Sequence, residues 1–288
     1  MEITASLVKE LREKTGAGIL DAKKALVENN GDIEKAAEYL RQKGIASADK
    51  KMSRIAAEGV VDTYTEGNIG AVVEVNCETD FVAKNVEFQE LVQAIAKTVV
   101  VSNPATVEDL MATQCACGCG RTIEERVKEK IATIGEKITV RRFVRYEGNV
   151  ASYVHNKKIA VLLNTDKADE TTAKDVCLHI ASCAPEFVSR EQIPAEVIEE
   201  EKRIEMGKED LAKKPEEIRA KIVEGRVNKL MAQKCLLEQA FVKNPEQTIQ
   251  QLIEGKFAIV SFERYVLGEG LEKRQDNFAD EVNAQLQK

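Results

Sequence analysis

The spacing of apolar residues changes at about Glu58, and no other feature of the chain constrains the fold as much. Before that point apolar residues recur at helical intervals in three short blocks. Leu7, Val8 and Leu11 form the first stripe, with Thr4 or Ser6 as its cap and Gly16 as its stop. Ala22, Ala25 and Leu26 form the second, which runs from about Gly18 to Asn29-Asn30-Gly31. Asp32 is placed to cap the third, where Ile33, Ala36, Ala37 and Leu40 recur, and Gly44 is expected to end it. Three helices of this length predict a miniature bundle, followed by a basic linker at Lys50-Lys51-Met52-Ser53-Arg54.

From Glu58 the pattern is that of strands. Gly59 to Thr65 and Ile69 to Cys77 flank the turn Glu66-Gly67-Asn68, a hairpin pattern. The same order returns with Ile138 to Tyr146, the turn Glu147-Gly148-Asn149, and Val150 to His155. Asn156-Lys157-Lys158 then turns the chain into Ile159 to Leu163. The reading is a duplicated α+β plan, with antiparallel strands covered by helices on one face. Between about Pro194 and Cys235 narrow apolar stripes lie in a strongly charged background, as expected of a helical hairpin projecting from the body. A solvated arm and a homodimer contact are equal alternatives for it. Phe257 to Leu267 returns to strand character, Gly268-Glu269-Gly270 breaks it, and Phe278 to Leu286 is expected to be a last amphipathic helix.

Composition excludes several functions. A formal charge of −7 over 288 residues argues against a large phosphate-binding face and against direct nucleic-acid binding. No run of about 18 apolar residues is present to span a membrane, and Met1-Glu2-Ile3-Thr4 lacks the basic and apolar regions of a signal peptide. Seven scattered cysteines fit a reducing cytoplasm better than a disulfide framework. Two histidines leave little material for a histidine-based catalytic centre. There is no Gly-x-x-x-x-Gly-Lys loop to cradle a phosphate.

Three places remain as candidates for function. Thr79-Asp80-Phe81-Val82-Ala83-Lys84 joins a strand-like run to a helix-like run, so an aromatic residue and an acid sit on a surface connection. Phe81 either projects from that connection or folds back onto the sheet as ordinary core. Cys115-Ala116-Cys117-Gly118-Cys119-Gly120 offers three thiols, but zinc and iron–sulfur sites take four ligands and the C-x-x-C spacing is absent. A Gly-rich surface loop between helices is the expectation, with no stoichiometric zinc or iron in protein purified without chelator. His179 lies in an apolar helical run and reads as a satisfied core residue, whereas His155 ends a strand and reads as exposed.

Two long stretches, Leu11 to Leu26 and Glu74 to Asn85, together resemble the elongation factor Ts family, bacterial guanine-nucleotide exchange factors for the GTPase elongation factor Tu. Lys130 to Glu136, Pro185-Glu186-Phe187, Val223 to Arg226 and Gly268-Glu269-Gly270 are similar as well, so the resemblance covers essentially the whole chain; the Cys115 to Gly120 loop departs from it. The resemblance implies an α+β protein with a ubiquitin-associated-like three-helix domain (1–54), a core N-subdomain (55–145), a core C-subdomain (146–190 and 236–267), a coiled-coil arm (191–235) and a C-terminal helical module (268–288). It implies that Thr79, Asp80, Phe81 and Val82 enter the partner near its nucleotide-bound magnesium, Phe81 as a wedge. By the same resemblance Arg12, Ile19 and Leu20 touch the partner's G domain and His155 faces another of its domains. No cofactor and no chemical reaction are implied.

Overall fold

The computed structural model describes residues 3–51, 53–211 and 214–272. The helix expected at Phe278 to Leu286 lies outside the described residues, as do Met52 of the expected linker and residues 212 and 213 of the hairpin. The architecture is α+β, as expected, with two compact units among the described residues. The first takes in residues up to Tyr64, Val73–Phe143 and the chain from Tyr265 onward; the second takes in Thr65–Val72 and Val144–Arg264.

The first unit begins with α1 (Ala5–Thr15), α2 (Ile19–Glu28) and α3 (Ile33–Lys51). Leu11, Ala22, Ala25, Leu26 and Ala36 make their core. The caps are those anticipated. The Thr4 hydroxyl accepts from the Leu7 N–H at 3.3 Å, Gly16 takes a left-handed φ of 69°, and the Asp32 carboxylate accepts from the Glu34 and Lys35 N–H groups at 3.1 Å.

Strands β1 (Glu58–Glu66), β2 (Ile69–Cys77) and β3 (Ile138–Glu147) form a sheet in the order β1-β2-β3. β1 and β2 are joined only by Gly67 and Asn68, a connection that antiparallel neighbours alone permit. β2 is the central strand and is buried from Gly70 to Cys77, so it carries no polar/apolar alternation. It leads into α4 (Asp80–Ala83) and α5 (Val86–Ser102), whose Phe88, Leu91, Val92, Ile95, Ala96 and Val99 are buried at helical spacing. Helices α6 (Val107–Ala112) and α7 (Ile123–Ile134) follow.

One expected boundary is wrong. Gly44 does not end the third helix, which continues to Lys51. A Cβ at position 44 would lie 2.6 Å from the Ala132 Cβ of α7, so the glycine serves the close approach of two helices rather than a stop.

In the second unit β4 (Asn149–His155) and β5 (Ile159–Thr165) pair antiparallel, with Ala151 opposite Leu163 and His155 opposite Ile159. Helix α8 (Glu170–Cys183) packs on them. After α9 (Ala195–Met206) and α10 (Glu216–Lys234) come β6 (Ala240–Phe241), β7 (Asn244–Thr248), α11 (Ile249–Ile253) and β8 (Ile259–Val266), the last giving the sheet order β4-β5-β8. Val161, Leu163, Val176, Cys177, Ile180 and Leu236 are among the buried residues of the core. The β6–β7 pair was not expected from the sequence, since Pro245 and its polar neighbours give no strand signal.

The second Glu-Gly-Asn tripeptide is not a hairpin turn, because β3 and β4 belong to different sheets. Gly148 sits at a φ of 143°, its N–H bonds the Asn68 carbonyl at 2.8 Å, and a Cβ there would lie 2.5 Å from the Asn164 Oδ1. Gly67, at a φ of 60°, has open space around it. The same three letters therefore serve a turn in one place and a crowded crossing in the other.

Helices α9 and α10 form the anticipated hairpin around Ile193, Leu211, Val223, Val227 and Met231. Ile204, Met206 and Ile218 stay exposed on it. The Arg226 guanidinium bonds Asp210 at 2.5 Å and Glu205 at 3.4 Å, tying the two helices across the turn. Among the described residues no helix is long and apolar enough to cross a membrane.

Candidate partner-binding surface

The Thr79 to Lys84 connection is a built structure. Thr79 has extended backbone, and its hydroxyl oxygen accepts from the Val82 N–H at 3.4 Å, starting the single turn of α4. Val82 and Ala83 turn inward and are buried, and the side chain just before them is left facing outward. Phe81 is 80% exposed, so the reading of it as core is overturned. Asp80 is half-exposed and bonds Lys84 one turn later at 2.6 Å. An exposed phenyl ring of this size forgoes most of its burial free energy.

Glu136, in the segment after α7, fixes this turn from behind. Its carboxylate accepts from the Glu78 N–H at 3.1 Å, the Thr79 N–H at 3.0 Å and the Thr79 hydroxyl at 2.7 Å. Glu78 reciprocates by accepting from the Lys137 N–H at 2.6 Å and pairing with Arg54 at 3.1 Å. Two carboxylates thus clasp the exit of β2 to the entry of β3. Charge-assisted bonds of this kind are the stronger class of hydrogen bond. Glu136→Ala is expected to cost about 2 kcal/mol of stability and to speed amide exchange from Thr79 to Ala83. Urea unfolding and hydrogen exchange check it; protection unchanged at those amides would contradict the clasp.

Sequence reasoning gave Glu136 no role. The helix stop at Gly135, with a left-handed φ of 90°, was the one local hint that the next side chain is aimed by a turn.

Arg12, Ile19 and Leu20 gather at the connection of α1 to α2. Arg12 is exposed and donates to the Ala17 carbonyl at 3.3 Å, bracing the loop that leads into α2. Ile19 and Leu20 open that helix at 58% and 81% exposure, an apolar pair outside the bundle core. His155 belongs to the second unit, at the exposed end of β4, where Tyr153 stacks against it and both ring nitrogens have hydrogen-bond partners in Tyr153 and Asn156. His179 is buried. The Val242 N–H donates to its Nδ1 at 3.2 Å, so Nε2 carries the proton and donates to Gln239 at 2.8 Å. Burial holds its pKa below the usual histidine value, partly offset by Gln239, as suits a neutral core residue.

A second polar cluster escaped the sequence reading. Glu74 on β2 is fully buried and accepts from Arg141 at 3.0 Å, Arg142 at 2.6 Å and the Gly268 N–H at 2.8 Å. Arg142 also lies over the Tyr265 ring at 4.1 Å. Gly268 has a φ of 68°, and a Cβ there would meet the Ala57 carbonyl oxygen at 2.5 Å. The Gly268-Glu269-Gly270 turn is therefore held by a carboxylate 194 residues away in the sequence.

The elongation factor TS family model matches residues 78–269, about two thirds of the 288-residue chain. The chain belongs to the elongation factor TS family. Its role accordingly lies in translation elongation. The family match opens at Glu78, immediately before the Thr79 to Val82 turn, and closes at Glu269, within the turn that Glu74 holds. The helices that carry Arg12, Ile19 and Leu20 lie before the matched segment.

Proposed function

We propose that this chain is a guanine-nucleotide exchange factor for elongation factor Tu, acting in the cytoplasm. It binds the GDP form and promotes release of GDP and its replacement by GTP. The observation that carries this reading is the exposed Phe81, set beside Asp80 on a turn fixed by Thr79 and Glu136. A protruding ring on a fixed turn is suited to entering another protein's pocket, because the backbone that carries it is already ordered.

The mechanism is differential affinity. Magnesium neutralises charge at the nucleotide phosphates, so displacing it weakens nucleotide binding. Thr79, Asp80, Phe81 and Val82 are proposed to do this, with Phe81 fitting only the rearranged pocket. Arg12, Ile19, Leu20 and His155 supply further contacts. Nucleotide and factor then weaken each other's binding by the same factor, and the ternary complex opens a route to release. No bond of a substrate is made or broken, so the protein is not an enzyme in the chemical sense and uses no cofactor.

The division into three-helix domain, two core subdomains, coiled-coil arm and C-terminal module belongs to this proposal. So does a homodimer through the arm, for which exposed Ile204 and Ile218 offer apolar surface and light scattering at several concentrations is the test.

Fluorescent GDP preloaded on elongation factor Tu tests the main claim. Release in excess unlabelled GDP should accelerate with added protein. Binding without acceleration would identify a translation-linked binding protein instead.

A further inference from the structure

The loop between α6 and α7 assembles its thiols more purposefully than its sequence spacing suggests. Its base is tied by a β-bridge between Gln114 and Thr122, and the Cys115 N–H donates to the Arg121 carbonyl at 2.8 Å. The Ala116 N–H donates to the hydroxyl of buried Thr98 on α5 at 3.0 Å. Gly118 and Gly120, at φ of 77° and 70°, let the chain fold over on itself. The sulfurs of Cys115, Cys117 and Cys119 all come within 4.8 Å of one another.

Cys115 is 5% exposed, and its sulfur is surrounded by donors. The Arg126 guanidinium reaches it at 3.2 Å and the Cys117 sulfur at 3.3 Å; the Cys117 N–H reaches it at 3.4 Å, and the two sulfurs stand 3.0 Å apart. A ring of donors stabilises a thiolate, and a guanidinium touching both sulfurs opposes a bound metal cation. Burial alone would raise the Cys115 thiol, but the Cys117 hydrogen bonds and Arg126 outweigh it and hold it below the usual thiol range. Burial and the neighbouring Cys115 push Cys117 up to about 11. Of the two sulfurs, Cys115 is therefore the one whose thiolate the surrounding donors favour.

We propose that Cys115 and Cys117 form a redox-active dithiol that a small hydroperoxide converts to a disulfide. The Cys115 thiolate attacks the terminal peroxide oxygen, the O–O bond breaks, and the departing alkoxide or hydroxide takes a proton, leaving a sulfenic acid. Cys117 then attacks that sulfur and loses its proton, the S–O bond breaks, and water departs. Two electrons pass from the dithiol to the peroxide. Cys115 is 5% exposed, which favours a small oxidant such as hydrogen peroxide. A disulfide needs an S–S separation of about 2.05 Å, so closing the 3.0 Å gap takes only a small local shift. The inference does not depend on the exchange reading.

The test uses the full, pre-reduced chain with hydrogen peroxide, followed by intact-mass spectrometry and non-reducing peptide mapping. One Cys115–Cys117 disulfide is expected, with loss of two hydrogen atoms and reversal by a thiol reductant. It should form roughly tenfold or more faster than oxidation of exposed Cys183, whose thiol burial pushes up. Arg126→Gln should slow it several-fold, because the guanidinium that touches both sulfurs is removed. Cys119→Ser should leave the rate unchanged, and Cys115→Ser should abolish the fast phase. Oxidation no faster than at Cys183, a fast phase surviving in Cys115→Ser, or Cys115 paired elsewhere would overturn the proposal.

Discussion

Phe81→Ala is expected to slow factor-stimulated GDP release from elongation factor Tu by about 10- to 150-fold. That range corresponds to the roughly 1.5–3 kcal/mol gained when a phenylalanine side chain is buried. The ring is 80% exposed in the chain alone, so nearly all of that burial remains available to a partner. For the same reason the substitution should leave the fold intact, with stability changed by no more than about 0.5 kcal/mol. Stopped-flow release of fluorescent GDP measures the first effect, and urea unfolding measures the second. Exchange at the unmodified rate in a folded Phe81→Ala protein would remove the wedge from the mechanism. The size of the effect also sets its limit: one ring accounts for part of a large acceleration, and the remainder must come from the other proposed contacts.

Glu74→Ala should produce the largest loss of stability, about 3 kcal/mol. The carboxylate is fully buried and answers two guanidinium groups and the Gly268 N–H. Removing it leaves Arg141 and Arg142 without their shared counter-charge, and leaves the Gly268 amide without its acceptor. Burial by itself would raise the pKa of this group. The Gly268 N–H, Arg142 and Arg141 overcome that and hold it below the ordinary glutamate value of 4.5. A carboxyl whose pKa is depressed on folding contributes stability that is fully present above its unfolded pKa and lost as pH falls through its folded pKa. The native protein should therefore lose stability as pH drops below about 4.5, with Glu74 contributing, and Glu74→Ala should flatten that decline. Urea midpoints between neutral pH and pH 3 would test both points, and an acid profile identical in the two proteins would refute the assignment.

Much of the fold was legible because its signals are local. Thr4, Gly16 and Asp32 act on backbone groups within a few residues, and such caps read the same in sequence and structure. The apolar stripe of α5 and the β1–β2 turn are likewise fixed by short-range spacing. Errors arose where one residue type has two uses. Gly44 could stop a helix or admit a neighbour, and Ala132 decided for the neighbour. Gly148 could turn a hairpin or fit a crossing, and Asn68 with Asn164 decided for the crossing.

At the candidate site the order of residues showed an aromatic beside an acid on a strand-to-helix connection, and no more than that. Whether the ring faced inward or outward depended on the burial of Val82 and Ala83 and on the Glu136 clasp, formed across 57 residues of sequence. The amino-acid sequence by itself determined most of the elements and those ends that a local cap or turn fixes, since such a cap or turn is settled by its nearest backbone hydrogen bonds. Tertiary structure alone decided which side chain projects, which carboxylate is buried and which sulfur is ringed by donors, because partners far apart along the chain meet only when the fold has closed.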